Sequence, residues 1–455
     1  SLDKKEPFYP LRVYVCHKCF LVQLDDNTQP PEEFFSKYLY FSSYSTTWLK
    51  HAKDLADEII EKFDCDQNTN VIEIASNDGY LLQHFKDNNI PGLGIEPATN
   101  VAKTAEERGI KTVNKFFGMD TANELKKSGN QADVLLAINV LPHVPDLHDF
   151  LKGIKVILKS DGILIIQFST YMIPFLQTTE FDSIYHEHFS YFSLLSIQKI
   201  LSTFGLEIFD VKELSIHGGS LRVYVKNTNN SKHMISQSVS ELIKKENDCG
   251  LSNISEYGKF SKRVNDVKLK ICDFFISAKQ DGKKVVCYGA PAKGNTMLNF
   301  CGIGRDLIEY AVDINPHKQG LYLPGTHIPI KQPEIIRETK PDYVIILPWN
   351  FKEEIMEKMS YYFTIADSFY IQENFTMSTQ YISKAIELHT NEEELYSFLS
   401  ISLTCEGKYD EAIEALEKIT HSNCRGNDIL WIEYAKTLSY IKKEDLEKTY
   451  LNINK

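Results

Sequence analysis

The sequence predicts an α/β protein: two Rossmann-like domains in succession, a small C-x-x-C module before them and an α-helical, repeat-like tail after them. Three observations carry this. Short apolar, β-rich runs alternate with amphipathic helical stretches from about residue 45 to about 350, the pattern of parallel-sheet folds. Two of those runs, NVIEIASNDG and KKVVCYGAPAKGN, pass through a small-residue turn into a helix, as nucleotide-binding βαβ units do. Beyond about residue 376 the strand pattern stops and leucine recurs at four-residue spacing.

The chain has 455 residues and is 43% hydrophobic, too long for one core, so two or three domains are expected. The boundaries fall at 1–40, 41–227, 228–280, 281–375 and 376–455. No uninterrupted apolar run of about 18 residues occurs, which argues against a membrane span. The opening SLDKKEPFYP holds no signal-peptide core. A net charge of −12 without a Lys/Arg-rich block argues against a nucleic-acid or anionic-membrane surface. Of nine cysteines only Cys16 and Cys19 stand close together, and scattered thiols suggest a reducing, cytoplasmic setting.

Residues 1–40 are read as a partial zinc-knuckle-like module built on C-H-K-C between LRVYV and LVQL. Cys16 and Cys19 supply only two of the four ligands that a closed zinc site needs, so two free thiols in a hairpin knuckle fit better than zinc bound by this chain alone. STTWLKHAKDLADEIIEKF has helical spacing from Leu49 to Phe63. The strand ending at Ile74 enters the turn Ala75-Ser76-Asn77-Asp78-Gly79, and Glu96 ends the next strand about twenty residues on. An acid there accepts ribose hydroxyls while turn amides approach the ligand. The diphosphate signature G-x-G-x-x-G is absent, so a nucleoside without phosphates, such as S-adenosylmethionine, suits the turn better. Asn139 and His143 follow the apolar run ADVLLAI, at the strand end where α/β sheets present ligand contacts.

Then comes IYHEHFSYFS, residues 184–193, which packs His186, His188, Glu187, Tyr185 and Tyr191 among phenylalanines. On spacing alone this is an H-x-H metal pair or a loop packed on a core; too few further ligands cluster nearby for a metal. LEIFDVKELSIHGGSLRVYVK reads as two strands around a Gly218-Gly219 turn, and 228–280 as a polar helical bridge. The turn Gly289 to Asn295 opens the second α/β unit, and its Lys293 beside a helix start favours a phosphate. In the tail, Leu395, Leu399 and Leu403, a turn at Gly407, and Tyr409 to Leu416 suggest a helix–turn–helix. The pattern restarts near Leu430, 35 positions on, close to the tetratricopeptide period of about 34. So short an array would have to pack on the body, a second copy or a partner.

The blocks YVCHKCFLVQL, VIEIASNDGYLLQ, GIEPATNVA, NVLPHVPDL, FDSIYHEHFSYFS, HGGSLR, YGAPAKGNTMLNF and DINPHKQG resemble the S-adenosylmethionine-dependent sugar C-methyltransferases that act on nucleotide-linked ketodeoxysugars. The resemblance runs over roughly residues 6–350 with the blocks in order. It implies a zinc module, a methyltransferase domain at 41–227 and a C-terminal α/β domain that helps hold the sugar nucleotide, a dTDP-sugar or similar. This chain departs from the pattern in having one C-x-x-C pair rather than two, Ala75 where glycine is usual, and a divergent, extended ending. The first departure makes zinc doubtful.

By the resemblance, His188 is the base that removes the proton beside a 4-keto group, with Glu187 as its acidic partner. Tyr185 and His143 face the developing enolate oxygen and Tyr40 completes the wall. Ala75, Asn77, Gly79, Glu96 and Asn139 would hold the methyl donor, with Phe116 and Phe117 as adenine platforms or core aromatics. His217, Lys293, Gly294, Asn295 and Lys318 would take the diphosphate. Two other functions stay open: O- or N-methylation on the same scaffold, and a degenerate methyltransferase fold that works through its helical tail.

Overall fold

The computed structural model describes residues 6, 8–25, 41–356, 399, 403 and 408–417. The described chain forms two compact units. The first takes the residues up to 280 together with 291–307 and 323–328; the second takes 281–290, 308–322 and those from 329 on. The bridge expected at 228–280 therefore belongs to the first unit, and so does the helix that follows the GAPAKGN turn.

The first unit opens on an antiparallel hairpin, β1 (Val13–Val15) and β2 (Val22–Leu24). Helix α1 (Thr46–Lys62) starts where the Ser45 hydroxyl accepts the Trp48 N–H, and it buries Ala52, Leu55, Ala56 and Ile59, the stripe its spacing predicts. Then strands and helices alternate: β3 (Val71–Ile74), α2 (Leu82–Asp87), β4 (Gly92–Ile95), α3 (Thr99–Glu107), β5 (Lys111–Val113), α4 (Met119–Lys127), β6 (Ala132–Ile138), α5 (Leu147–Ile157) and β7 (Leu158–Phe168). After α6 (Met172–Gln177), β8 (Ser190–Tyr191) and α7 (Leu194–Ser202), the hairpin β9 (Leu206–Leu214) and β10 (Ser220–Asn227) completes a seven-stranded sheet ordered β5-β4-β3-β6-β7-β10-β9. β3 to β7 run parallel, and β10 is antiparallel to both neighbours.

Both faces of this sheet are covered, which explains strands that are apolar throughout. Leu135, Ala137, Leu164 and Ile166 pack with Phe150, Leu151 and Ile154 on one side. Their alternating neighbours Val134, Leu136, Ile163 and Ile165 meet Trp48, Leu55 and Phe85 on the other. The strand order reverses at β3–β6, where an open α/β sheet forms its crevice at the strand C-termini. A second, three-stranded sheet, β1-β2-β8, ties the N-terminal hairpin to the 184–193 stretch, with Val22 opposite Tyr191. Helices α8 (Gln237–Asp248) and α9 (Ile254–Gln280) follow, and Glu246 of α8 accepts the Leu194 and Leu195 N–H groups that open α7.

The second unit holds a parallel four-stranded sheet, β13-β12-β11-β14, from β11 (Val285–Tyr288), β12 (Ala311–Val312), β13 (Ile330–Lys331) and β14 (Tyr343–Ile346). Helix α10 (Ala292–Cys301) belongs to the first unit; α11 (Ile335–Thr339) lies in the second. In the tail, α12 (Tyr409–Glu417) sets Ala412 and Ala415 against Leu403. Leu395, Leu430 and the restart of the repeat lie outside the described residues, as does Tyr40.

Candidate active site

Left-handed backbone marks the mouth of the crevice. Ala75 (φ 56°), Asn77 (φ 49°) and Gly79 (φ 80°) lie just past β3, and Asn139 (φ 55°) just past β6. Non-glycine residues held there cost free energy and cluster at functional sites. At Gly79 a Cβ would come within 2.9 Å of Ile110, so glycine is required for packing as well as for its φ. Glu96, at the end of β4, is 5% exposed; its carboxylate accepts the Asn77 N–H at 2.9 Å and the Ala98 N–H at 2.8 Å. Burial outweighs those two donors and lifts its carboxyl to about 7. Each oxygen keeps a lone pair for a ribose hydroxyl, and the buried Asn139 Oδ1 has no hydrogen-bond partner. Bent amides, a strand-end acid and an orphaned amide oxygen fit a nucleoside that carries an amino-acid tail. Phe117 packs edge-on against Phe150 at 5.3 Å, whereas Phe116 is 41% exposed, so the two do not form one platform.

Sequence reading passed over Glu73. It is fully buried on β3 beside Glu96 and Asp78, with the Tyr80 side chain as a polar neighbour of opposite effect. Burial first, then those charges, push its carboxyl well above the usual range, which keeps it protonated.

The histidine stretch makes a second cluster. His188 is 6% exposed, and its Nδ1 lies 2.9 Å from the Ser183 carbonyl, so Nδ1 carries the proton. Nε2 then holds the lone pair and accepts the Tyr185 hydroxyl at 2.9 Å. His143 repeats the pattern: its Nδ1 donates to the Glu187 carbonyl at 2.7 Å, and its ring sits 5.0 Å from that of His188. Burial lowers both imidazoles, that of His188 well below 6.5 with His143 and Lys293 adding to the effect. Two expectations change here. Glu187 meets neither ring nitrogen of His188, since Ser183 and Tyr185 occupy them; through its carbonyl and its charge it acts on His143. Neutral His143 presents Nε2 as an acceptor, so donation toward an oxyanion falls to Tyr185. His186 Nε2 donates to the Tyr9 carbonyl, just ahead of the hairpin, at 3.0 Å.

Lys293 opens α10 together with buried Gly294, and its neighbours are the buried acids Asp182 and Glu180 rather than an open anion cradle. Lys293 and Phe300, seven residues apart, share a face of α10, and Phe300 meets Phe181 at 5.1 Å in the turn that orients His188. Burial lowers the ammonium, and the two acids oppose that. The buried Asn295 Oδ1 has no partner. His217 lies in the short turn Ile216–Gly218, and at Gly219 the close approach is to Pro174, at 2.7 Å from an added Cβ. Lys318, in the second unit, bonds the Ala290 carbonyl at 3.1 Å and lies 3.4 Å from the Asp313 carboxylate.

At the hairpin, Phe20 N–H donates to the Cys16 carbonyl with Phe20 itself left-handed, a tight knuckle. Amides of Cys19 and Lys18 hold the Cys16 thiol below its usual value, whereas burial raises Cys19. Among the described residues no third or fourth metal-ligating side chain joins the two thiols. No described helix is long and apolar enough to cross a membrane.

Residues 48–211 match the family model of a methyltransferase domain, 215–372 that of the C-methyltransferase C-terminal domain, and 1–35 that of a domain described as zinc binding. The C-methyltransferase NovU of Streptomyces niveus is 32% identical over 352 residues, covering 77% of this chain and 83% of that protein. The chain belongs to the C-methyltransferase family. This methyltransferase depends on S-adenosylmethionine. It is also 29% identical over 100 residues to a ubiquinone biosynthesis O-methyltransferase of Azorhizobium caulinodans, covering 21% of this chain and 38% of the other. Magnesium protoporphyrin IX methyltransferase of Synechocystis, solved with bound SAH, matches 39% of this chain and 81% of its own at 12% identity and a TM-score of 0.31.

Proposed function

We propose that this methyltransferase acts on a carbon next to the ketone of a nucleotide-linked 4-ketodeoxysugar. The observation that carries the reading is the buried pairing of a neutral His188 with the Tyr185 hydroxyl, beside His143. A saturated sugar carbon yields no carbanion; one adjacent to a ketone does, once its proton is removed and charge moves to the oxygen.

His188 Nε2, the lone-pair nitrogen, receives that proton, and Ser183 holds the ring through Nδ1. Protonated, Nε2 no longer accepts, so the Tyr185 O–H is released to donate to the enolate oxygen as its charge grows. The imidazolium formed is disfavoured by burial, and an enolate alongside offsets that cost. Ala75, Asn77, Gly79, Glu96 and Asn139 would hold the donor, and S-adenosylmethionine when bound would supply an electrophilic methyl, its sulfur leaving as the neutral thioether. The nucleotide carrier, a dTDP or similar group, would be held in part by Asn295, and Tyr40 remains a candidate for the pocket wall. Residues 376–455 are candidates for self- or partner association.

The test is wash-in of solvent deuterium beside the ketone across a panel of nucleotide 4-ketosugars without methyl donor. Exchange that disappears in His188→Ala supports the reading. No exchange on any member, with S-adenosylmethionine still bound, overturns it in favour of O- or N-methylation; loss of S-adenosylmethionine binding would favour a scaffold.

A further inference from the structure

Arg222 is 2% exposed and the bulkiest fully buried side chain among the described residues, far from any role assigned above. It sits on β10 directly across from Gln167 of β7. Its Nε and Nη2 both donate to Gln167 Oε1, at 3.1 and 3.0 Å; Nη1 donates to Glu58 at 3.1 Å, and Nη2 to His51 Nε2 at 3.4 Å. His51 Nε2 also faces both polar atoms of the Gln167 amide, its nitrogen at 3.1 Å and its oxygen at 3.2 Å.

Both held groups lead to the methyl-donor crevice. The Gln167 carbonyl accepts the Asn139 N–H at 2.8 Å, the bond that secures Asn139 in its left-handed conformation with Oδ1 unpartnered. His51 lies on α1, stacked on Trp48, and Trp48 reaches Tyr80 beside the donor turn. Just ahead of α1, Ser42 N–H donates to Asn77 Oδ1 at 2.9 Å and the Ser43 hydroxyl to Asp78. Helix α1 is thus pinned to the donor turn at one end and to the β7 terminus through His51.

We propose that Arg222 is a positioning residue for the methyl donor: by gripping Gln167 and His51 it fixes Asn139 and holds α1 over the Ala75–Gly79 turn. A guanidinium suits this because its planar fork serves three acceptors in fixed directions, which an ammonium does not. A buried ion pair that served stability alone would tolerate apolar replacement. The inference rests on the donor site assigned above and not on the identity of the acceptor.

The experiment is calorimetric binding of S-adenosylmethionine to the full chain, with no sugar present, for wild type, Arg222→Lys, Asn139→Ala and the double variant, each with a melting curve. Arg222→Lys is expected to weaken binding about tenfold, the scale of one hydrogen bond to a charged group. Combined with Asn139→Ala, its effect should fall short of the product of the two, because both act on one contact. Unchanged affinity, a loss matched by the unfolded fraction, or independent multiplication overturns the proposal. If Arg222→Lys does not fold, His51→Phe keeps the Trp48 stack and removes the acceptor: about threefold weaker binding supports the proposal, and wild-type affinity overturns it. Failure of the ketosugar reading would leave these results untouched, since no acceptor enters the measurement.

Discussion

The Tyr185 hydroxyl lies 2.9 Å from the Nε2 of His188, and the Nδ1 of that ring is committed to the Ser183 carbonyl. One lone pair therefore takes either the phenol's proton or the substrate's. His188→Ala is expected to slow carbon–deuterium exchange by about 10²–10⁴-fold, the usual reach of a positioned base. Tyr185→Phe should slow it by about 10²-fold while leaving the base in place. Single-turnover exchange, with S-adenosylmethionine affinity as the folding control, separates the two; equal and complete loss in both variants would make the pair one inseparable unit.

Burial, His143 and Lys293 all hold His188 below its ordinary value. The acid limb of the exchange profile should therefore lie below pH 6.5, with the base ready throughout the neutral range. Lys293→Met removes one of the opposing charges, so the limb should move up. Tyr185→Phe should move it the same way, because the phenol's donated hydrogen bond favours the neutral ring. A limb that stays put in Lys293→Met would show that its charge does not reach the base.

Glu96 titrates near 7 because burial opposes its charge. Its carboxylate accepts ribose hydroxyls best when ionised, so S-adenosylmethionine should bind more tightly as pH rises through about 7. In Glu96→Gln the dependence should vanish, and affinity above pH 7 should be about tenfold weaker. Calorimetry between pH 5.5 and 8.5, at roughly unit steps, reads both effects.

Glu73 affects stability rather than binding. Its folded carboxyl is raised well above 4.5, so its contribution is fully present below about pH 4.5 and is lost as pH rises toward the folded value. Over that window it contributes a slope of about 1.4 kcal/mol per pH unit. Glu73→Gln should flatten the wild-type fall in denaturant midpoint on going from mildly acidic to alkaline buffer. Parallel curves for the two proteins would contradict a protonated Glu73.

Much of this was legible in the sequence, for identifiable reasons. The β3–turn–α2 unit and Glu96 show because strand, turn and acid lie within about 25 residues and follow a fixed periodicity. The 184–193 stretch shows because Tyr185, Glu187 and His188 are chemically conspicuous together, although the resemblance put the acid with His188 and the structure sets it against His143: backbone carbonyls, which no sequence motif records, decide the ring partners. Lys293 was read from its own helix start, whereas its environment is set by Asp182 and Glu180, more than a hundred positions earlier. The Arg222 network was illegible for the same reason: His51, Gln167 and Arg222 meet only because α1, β7 and β10 do.

The strand β2 has a consequence for anyone who recombines modules between relatives. Leu24 N–H donates to the Phe189 carbonyl, and Phe189 N–H donates in turn to the Pro142 carbonyl, one residue from His143. The backbone immediately after His188 is therefore a hairpin edge on one side and the loop after β6 on the other. Exchanging the cysteine knuckle for a foreign one would replace a splint of the His188 stretch, and a chimera cut cleanly between the two would leave β8 with an open edge. After residue 193 the chain enters α7 and rejoins the seven-stranded sheet only at β9, so the tie to the hairpin ends with β8.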